Sequence, residues 1–383
     1  MFLAPHVPLT ADVIVINTDS RADDTRTARK KVKKAVESLP GRTIYKKIDS
    51  SLRGNIGVEL KEIKKGLAAE KVIIAPAFPV VGRTTIEGRV LVDGIPVTQT
   101  QFADDPVSPV KESHIPTLLA RSIEEPIGSI TIEDINAGPE ALYQKIIGSA
   151  QDILVCDVTE QSHLTCIVQA TSLTQEYWLL CGSGGLAREL PPMITHVPGR
   201  TETPPSTPSS GAALLVAGTR SHKMASQLIK AKEEIGLPIL KLPVEVMKQE
   251  HNSSTMAQVM EKEAADLITQ GKSLAITSVF SEFIPDLQCT VANTLAETAI
   301  AILASNKFTG IFLSGGDIAT EICRRLSVSA IIVLGEIEPG VPAGELIGGE
   351  IGGMRVVTKA GGFGSESALV KTISYLEEGN NYE

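Results

Sequence analysis

Gly310-Ile311-Phe312-Leu313-Ser314-Gly315-Gly316-Asp317-Ile318-Ala319-Thr320-Glu321-Ile322 passes from an apolar run, through a polar glycine turn, into a helical pattern. The apolar run shows no alternation, which predicts a strand covered on both faces. Glycines let backbone approach an anion closely, and a helix start presents unpaired N–H groups with the positive end of its dipole. Ala213-Leu214-Leu215-Val216-Ala217, then Gly218-Thr219-Arg220-Ser221, repeats the arrangement, with Thr219 and Ser221 as hydroxyl donors. Gly361, Gly362 and Gly364 flank Phe363 in a third flexible loop. Three such loops in one half of a chain favour a nucleotide over a purely structural role.

Working outward, 273–277 and 331–334 are further strand candidates, with helical patterns at roughly 220–235, 253–270, 288–306 and 316–326. The first half alternates in the same way. Residues 13–16, 43–45, 72–75 and 153–156 read as buried strands, and 22–38, 56–69, 113–123, 139–150 and 162–175 as helices. Between the halves, 191–212 is dense in Pro, Ser, Thr and Gly and reads as a linker. The expected architecture is therefore α/β. Two α/β domains, 1–190 and 213–383, carry mainly parallel sheets that face across an interdomain cleft. In such sheets ligands bind at the carboxyl ends of strands.

The densest polar cluster falls at one of those ends. Tyr45-Lys46-Lys47-Ile48-Asp49-Ser50-Ser51-Leu52-Arg53-Gly54-Asn55 gathers cations and hydroxyls around one carboxylate, which core packing does not require. It suits a small, anionic, hydroxylated ligand. Lys47, Arg53 and Arg83 are candidates for a ligand carboxylate, and Ser50, Ser51 and Asn55 for its hydroxyls. Asp49 is a candidate polar ligand or general base. Asn17-Thr18-Asp19-Ser20-Arg21 is a second polar cluster at a strand end.

Other classes are disfavoured. A net charge of −9 and 4% aromatic residues argue against nucleic acid. The basic run Arg29-Lys30-Lys31-Val32-Lys33-Lys34 reads as a solvated helix face. Five widely spaced cysteines with no Cys-x-x-Cys support neither disulfides nor zinc, and no metal site is expected from the sequence alone. No signal peptide and no membrane-crossing run is legible, so a cytoplasmic protein without a membrane partner is expected. Gly271-Lys272-Ser273 precedes a strand, whereas a phosphate-binding P-loop follows one. No dinucleotide fingerprint supports a nicotinamide oxidoreductase. Gly182-Ser183-Gly184-Gly185 reads as a tight strand–helix turn. His114 and His222 lack a partnered carboxylate nearby in sequence.

Taken together, the motifs resemble those of the four-carbon acid sugar kinases. Lys46 to Gly57 resembles the signature K-K-I-D-S-T-L-R-G-N-x-G, and 17–21 its T-x-S-R turn. Ala75-Pro76-Ala77-Phe78-Pro79 with Gly82-Arg83 resembles P-A-F-P-x-x-G-R, and 92–97 and Asp105-Pro106 resemble the hairpin and D-P that follow. In the second half, 314–317, Pro339-Gly340-Val341-Pro342 and 359–364 resemble S-G-G-[DE], P-G-V-P and K-S-G-N-F-G, with Ala360 and Gly362 in place of the usual Ser and Asn. The resemblance implies an acid-sugar domain followed by a nucleotide domain. The implied reaction passes the γ-phosphoryl of ATP, with Mg²⁺, to a hydroxyl of a tetronate or 3-oxo-tetronate.

On that resemblance Ser20, Arg21, Lys47, Ser50, Arg53, Gly54, Asn55 and Arg83 meet the sugar acid. Thr219, Ser221, Gly315, Gly316 and 361–364 hold the nucleotide. Asp49 and Asp317 are the catalytic candidates, Asp317 orienting Mg²⁺ or the attacking hydroxyl. The partners expected are the sugar acid and ATP, with a homodimer left open. Family members open with a strand ending in Asp-Asp-x-Thr-Gly, which the resemblance does not find here. Ala22-Asp23-Asp24-Thr25 follows the Thr18–Arg21 turn and enters a helix, so it is not that loop. A sugar-acid-binding protein with impaired catalysis is the alternative expectation.

Overall fold

The computed structural model describes residues 12–105, 108–191, 210–219, 221–244, 253–268, 271–281 and 287–378. They fall into two compact units, drawn from Ala11–Gly199 and Arg200–Glu383. Most of the expected linker, 192–209, lies outside the described residues.

The first unit contains β1 (Tyr45–Lys47), β2 (Lys71–Ala75), a small meander of β3 (Arg83–Ile86), β4 (Arg89–Val92) and β5 (Ile95–Pro96), and then β6 (Ile127–Ile130), β7 (Ile153–Cys156) and β8 (Trp178–Gly182). Five of these strands form one parallel sheet in the order β1-β8-β2-β7-β6, and the antiparallel meander forms its own sheet. β2 shows why the unalternating apolar run is a strand. Val72 and Ile74 enter one core cluster while Ile73 and Ala75 enter another on the opposite face.

The second unit carries β9 (Ala213–Ala217), β10 (Ile239–Lys241), β11 (Leu274–Thr277), β12 (Gly310–Ser314), β13 (Ala330–Glu338), β14 (Val341–Ile347) and β15 (Arg355–Lys359). The order is β10-β11-β9-β12-β15-β14-β13, parallel as far as β15 and antiparallel beyond it. Leu214 and Val216 face one cluster and Ala213, Leu215 and Ala217 the other.

Two expected strands are corrected. Residues 13–16 form no strand: Val13 and Val15 are 57% and 60% exposed, so this apolar run has no core to enter. Residues 331–334 do form a strand, but within an exposed antiparallel edge. Val333 is 64% exposed there, and among the described residues β13 pairs only with β14 at the end of the sheet. The apolar run alone does not distinguish a central strand from an uncovered edge. The first strand also begins at Tyr45 rather than at residue 43.

The rejected motifs behave as the sequence implied. The basic run lies on the helix Thr25–Glu37, which buries only Ala28 and Val32. Asp24 caps that helix, accepting from the N–H groups of Arg26 and Thr27. Ser273 accepts from the Ala213 N–H at the entrance of β11, and Ser183 caps the short helix Gly184–Ala187.

Truncating Ile74 to Ala should destabilise the first unit by about 2–5 kcal/mol in urea unfolding. Val15→Ala should stay within about 0.5 kcal/mol. Equal effects at the two positions would contradict this assignment of core and surface.

Candidate functional site

Each unit gathers its own polar cluster at strand ends. In the first, the chain leaves β1 through a turn in which Leu52 adopts φ 63°. That left-handed conformation costs a branched residue about 1 kcal/mol or more. Burial of the Leu52 side chain and hydrogen bonds from the Leu52 N–H to the Asp49 carbonyl and from the Ser51 N–H to Asp49 Oδ2 hold it.

Asp49 is the hub. Its carboxylate accepts from Arg53 Nε at 3.0 Å and Arg53 Nη2 at 3.1 Å, a bidentate pair, and Arg21 lies at 3.9 Å. Burial alone would raise the Asp49 pKa, but Arg53 and Arg21 outweigh it and hold the group below its ordinary value. A carboxylate so engaged is a weak base, and its geometry is that of an orienter of Arg53. Asp105 takes a third guanidinium N–H, Arg53 Nη1, at 3.0 Å.

Phe102 then draws a second cation to the same place. The guanidinium carbons of Arg53 and Arg83 lie 5.2 Å and 5.6 Å from its ring centroid. Unlike Arg53, Arg83 meets no carboxylate among the described residues. It donates to the Val81 carbonyl through Nη1, and its buried Nε has no partner. Lys47 donates to the Ile48 carbonyl. Its pKa is lowered, chiefly because neighbouring protein displaces solvent from the ammonium although the residue as a whole is exposed; Asp49 partly offsets this.

The remaining sugar-acid candidates divide. Ser50 is half-buried with no side-chain hydrogen bond among the described residues. Gly54 lies against Arg21, whose Cγ would be 3.4 Å from an added Cβ. Ser20 and the Asn55 amide nitrogen are committed to the scaffold. Buried Ser20 donates to Glu59 at 2.5 Å, and Asn55 Nδ2 donates to the carbonyls of Ser20 and Asp23. Glu59 also pairs with Lys46, so one buried carboxylate ties the 17–21 turn to β1.

In the second unit, β9, β12 and β15 run in register, so that Ala217, Ser314 and Lys359 lie side by side. The chain leaves β9 into the helix His222–Ile235 and β12 into the helix Gly316–Arg325, and neither start has a side-chain cap. Gly315, at φ 113°, turns the chain where a side chain would be strained, and an added Cβ there would lie 3.5 Å from the Thr219 nitrogen. The two helix starts are therefore neighbours. From β15 the glycine loop closes in: a Cβ on Gly361 would fall 2.1 Å from Thr219 Oγ1 and 2.8 Å from Ser221 Cβ.

So Thr219, Ser221, Gly315 and Gly361 converge, with Gly316 and Asp317 exposed on the first turn of the second helix. Gly362 and Phe363 are exposed on the loop, and Phe363 packs against Gly340. The loop is fastened from below: Gln227 Nε2 donates to the carbonyls of Phe363 and Ser365, and Glu338 accepts from the Ser365 N–H. Buried Ser314 Oγ has no partner among the described residues. Adjacent uncapped helix starts, a free hydroxyl and a close glycine loop make a cradle for phosphate.

Residues 3–190 match the family described as a sugar-binding N-terminal domain, and residues 214–369 that described as a nucleotide-binding C-terminal domain. The D-threonate kinase of Salmonella typhimurium is 32% identical over 96% of this chain and 89% of its own length. The chain belongs to the four-carbon acid sugar kinase family. The D-erythronate kinase of Heliobacterium modesticaldum is 26% identical over 95% of this chain and 87% of its own length. A crystal structure from Salmonella typhimurium LT2 shares the fold, with a TM-score of 0.80 at 20% identity over 96% of this chain and 90% of that one. Among the described residues no helix is long and apolar enough to cross a membrane.

Phe102, Glu59 and Gln227 escaped the sequence reading as site residues, and Asp105, Ser314 and Lys359 entered it only as members of motifs, with no role of their own. Phe102 carried no signal. Lys359 did carry one: a charge ends the otherwise apolar strand Arg355–Lys359 just before the glycines.

The fastening at Glu338 has a pH signature. Burial would raise its pKa, but Lys371 and the Ser365 N–H and hydroxyl lower it from 4.5 to about 2. Folding thus favours the carboxylate, and its stabilisation is complete above pH 4.5 and is lost as pH falls toward about 2. Glu338→Gln should remove about 1 kcal/mol at pH 7, the shift being discounted because solvent reaches the pair, and nothing near pH 2. Parallel stability–pH curves for the two proteins would contradict this.

Proposed function

We propose that this chain transfers the γ-phosphoryl group of ATP, with Mg²⁺, to a hydroxyl of a four-carbon sugar acid of the tetronate or 3-oxo-tetronate class. The supporting observation is the meeting of two uncapped helix starts with the Gly361 loop, in the half that matches a nucleotide-binding domain. The relatives' activities, as D-threonate and D-erythronate kinases, supply the acceptor class.

In this reading Arg83 and Lys47 take the ligand carboxylate, with Arg21 beside them and Ser50 on a hydroxyl. Arg53 is already neutralised by Asp49 and Asp105. It acts as a fixed wall that keeps the Phe102 ring, and with it Arg83, in place. Thr219, Ser221 and the N–H groups beside Gly315 and Gly316 receive phosphate oxygens. Gly361 and Gly362 allow close approach, and Phe363 is an exposed ring for the base.

No group of three His, Cys, Asp or Glu side chains among the described residues holds a metal by itself. Mg²⁺ in such reactions is carried largely by the phosphates and one or two carboxylates, and exposed Asp317 on the helix start fits that demand. The ion would neutralise charge on the phosphate oxygens. What the chain's own residues contribute is alignment of the hydroxyl and compensation of charge.

ADP release measured across a panel of tetronates should single out one acceptor. Arg83→Ala should raise KM for that acceptor about tenfold to a hundredfold, the worth of a charge-assisted hydrogen bond, with KM for ATP little changed. Gly361→Ala should do the reverse, because its methyl collides with Thr219. Thermal stabilisation by a tetronate with no ADP release from any acceptor would replace this reading by a sugar-acid-binding protein without turnover.

A further inference from the structure

Lys359 is buried, 5% exposed, at the end of β15. Its ammonium donates to the carbonyls of Ala360 at 3.3 Å, Gly361 at 3.1 Å and Phe363 at 3.2 Å. Those carbonyls belong to the loop that approaches Thr219 and Ser221, so the conformation of the loop is written around one cation. No described carboxylate pairs with it, which is unusual for a buried charge. The groups nearest to it come from β12, the helix His222–Ile235 and the far end of the loop. β12 presents the uncharged, unpartnered Ser314 in register with it. The helix His222–Ile235 presents Gln227, whose Oε1 has no partner, and Lys223, whose like charge acts on it. Glu338, at the far end of the loop, is occupied by Lys371 and Ser365.

A buried cation with three carbonyl acceptors and no counter-ion is a site that lacks a negative charge. We propose that Lys359 is a positioning residue whose ammonium holds the 360–363 loop in place for nucleotide phosphate and is completed electrostatically by that phosphate, so that nucleotide binding is coupled to protonation of Lys359. The inference rests on the nucleotide reading above.

Burial, helped by Lys223, lowers the Lys359 pKa from 10.5 to about 8. An arriving phosphate favours the charged form and raises it again. The sign follows. Well below pH 8 the ammonium is already present and binding takes up almost no proton. Above it, the free protein has released a proton that the complex must recover, so affinity falls by up to about tenfold per pH unit until the pKa of the complex is passed. The nucleotide itself contributes little there, since phosphate monoesters finish ionising at about pH 6.

The test is calorimetric titration of the full chain with ADP and Mg²⁺ at pH 7 and pH 9, each in two buffers of different ionisation enthalpy. Wild type should take up a substantial fraction of a proton at pH 9 and close to none at pH 7. Lys359→Arg keeps the charge at both pH values, so it should bind with no uptake at pH 9 and a flat affinity profile. Lys359→Met should bind at least tenfold more weakly at pH 7 and also show no uptake, with its melting curve reporting whether it is folded. Equal proton uptake in wild type and Lys359→Arg would overturn the role of Lys359 and leave the kinase reading standing. Absence of any binding heat from a folded wild type, with ATP as with ADP, would overturn both.

Discussion

The second unit depends on the register of three parallel strands. β9, β12 and β15 end level with one another, so Ala217, Ser314 and Lys359 stand in one row. In-register parallel neighbours share a face, so Ser314 and Lys359 continue the face that Phe312 and Val357 fill with apolar packing. The row marks where packing gives way to polar groups. Beyond it two helices begin without side-chain caps and a glycine loop folds back. A slip of one residue in β15 would turn Lys359 to the other face and remove the loop's acceptors from its reach.

The first unit fixes its charges differently. Its cations are held by paired carboxylates and by an aromatic ring: Asp49 and Asp105 grip Arg53, and Phe102 lies against both Arg53 and Arg83. Glu59 ties Ser20 and Lys46 into the same scaffold. The consequence is a division of labour that the residue types alone do not reveal. Arg53 and Arg83 are the same side chain, yet one has its charge compensated and the other, among the described residues, does not. Only the second can offer its full charge to an incoming carboxylate.

That difference explains what was legible in the sequence. Strands buried on both faces could be read because Val72 to Ala75 and Ala213 to Ala217 have no polar alternation, and the glycines after Ala217 and Ser314 marked the turns. The edge strand at 331–334 and the strandless 13–16 share that apolar character, and nothing local separates them from a core strand. Exposure is decided by which neighbours a sheet supplies. Within the sites, residue identity gave the cations and glycines. It could not show that Ser20 and the Asn55 amide nitrogen spend their hydrogen bonds on Glu59 and backbone, or that Phe102 gathers two arginines from separate stretches of the chain. Those facts are tertiary, and composition at one stretch is blind to them.

The two clusters also suit different anions on chemical grounds. A guanidinium presents a planar fork that matches the two oxygens of a carboxylate, and the first unit keeps such a fork uncompensated at Arg83. A phosphate is larger, carries more charge and accepts from several directions, which favours backbone N–H groups and a compact ammonium over one fork. The second unit supplies the donors in two helix starts and the Thr219 and Ser221 hydroxyls, while Lys359, its N–H groups held by loop carbonyls, adds charge beneath the loop. Exchanging the ligands would leave a carboxylate among donors too dispersed to meet its two oxygens together. On the reading proposed above, the donor geometry of each cradle therefore favours a different anion.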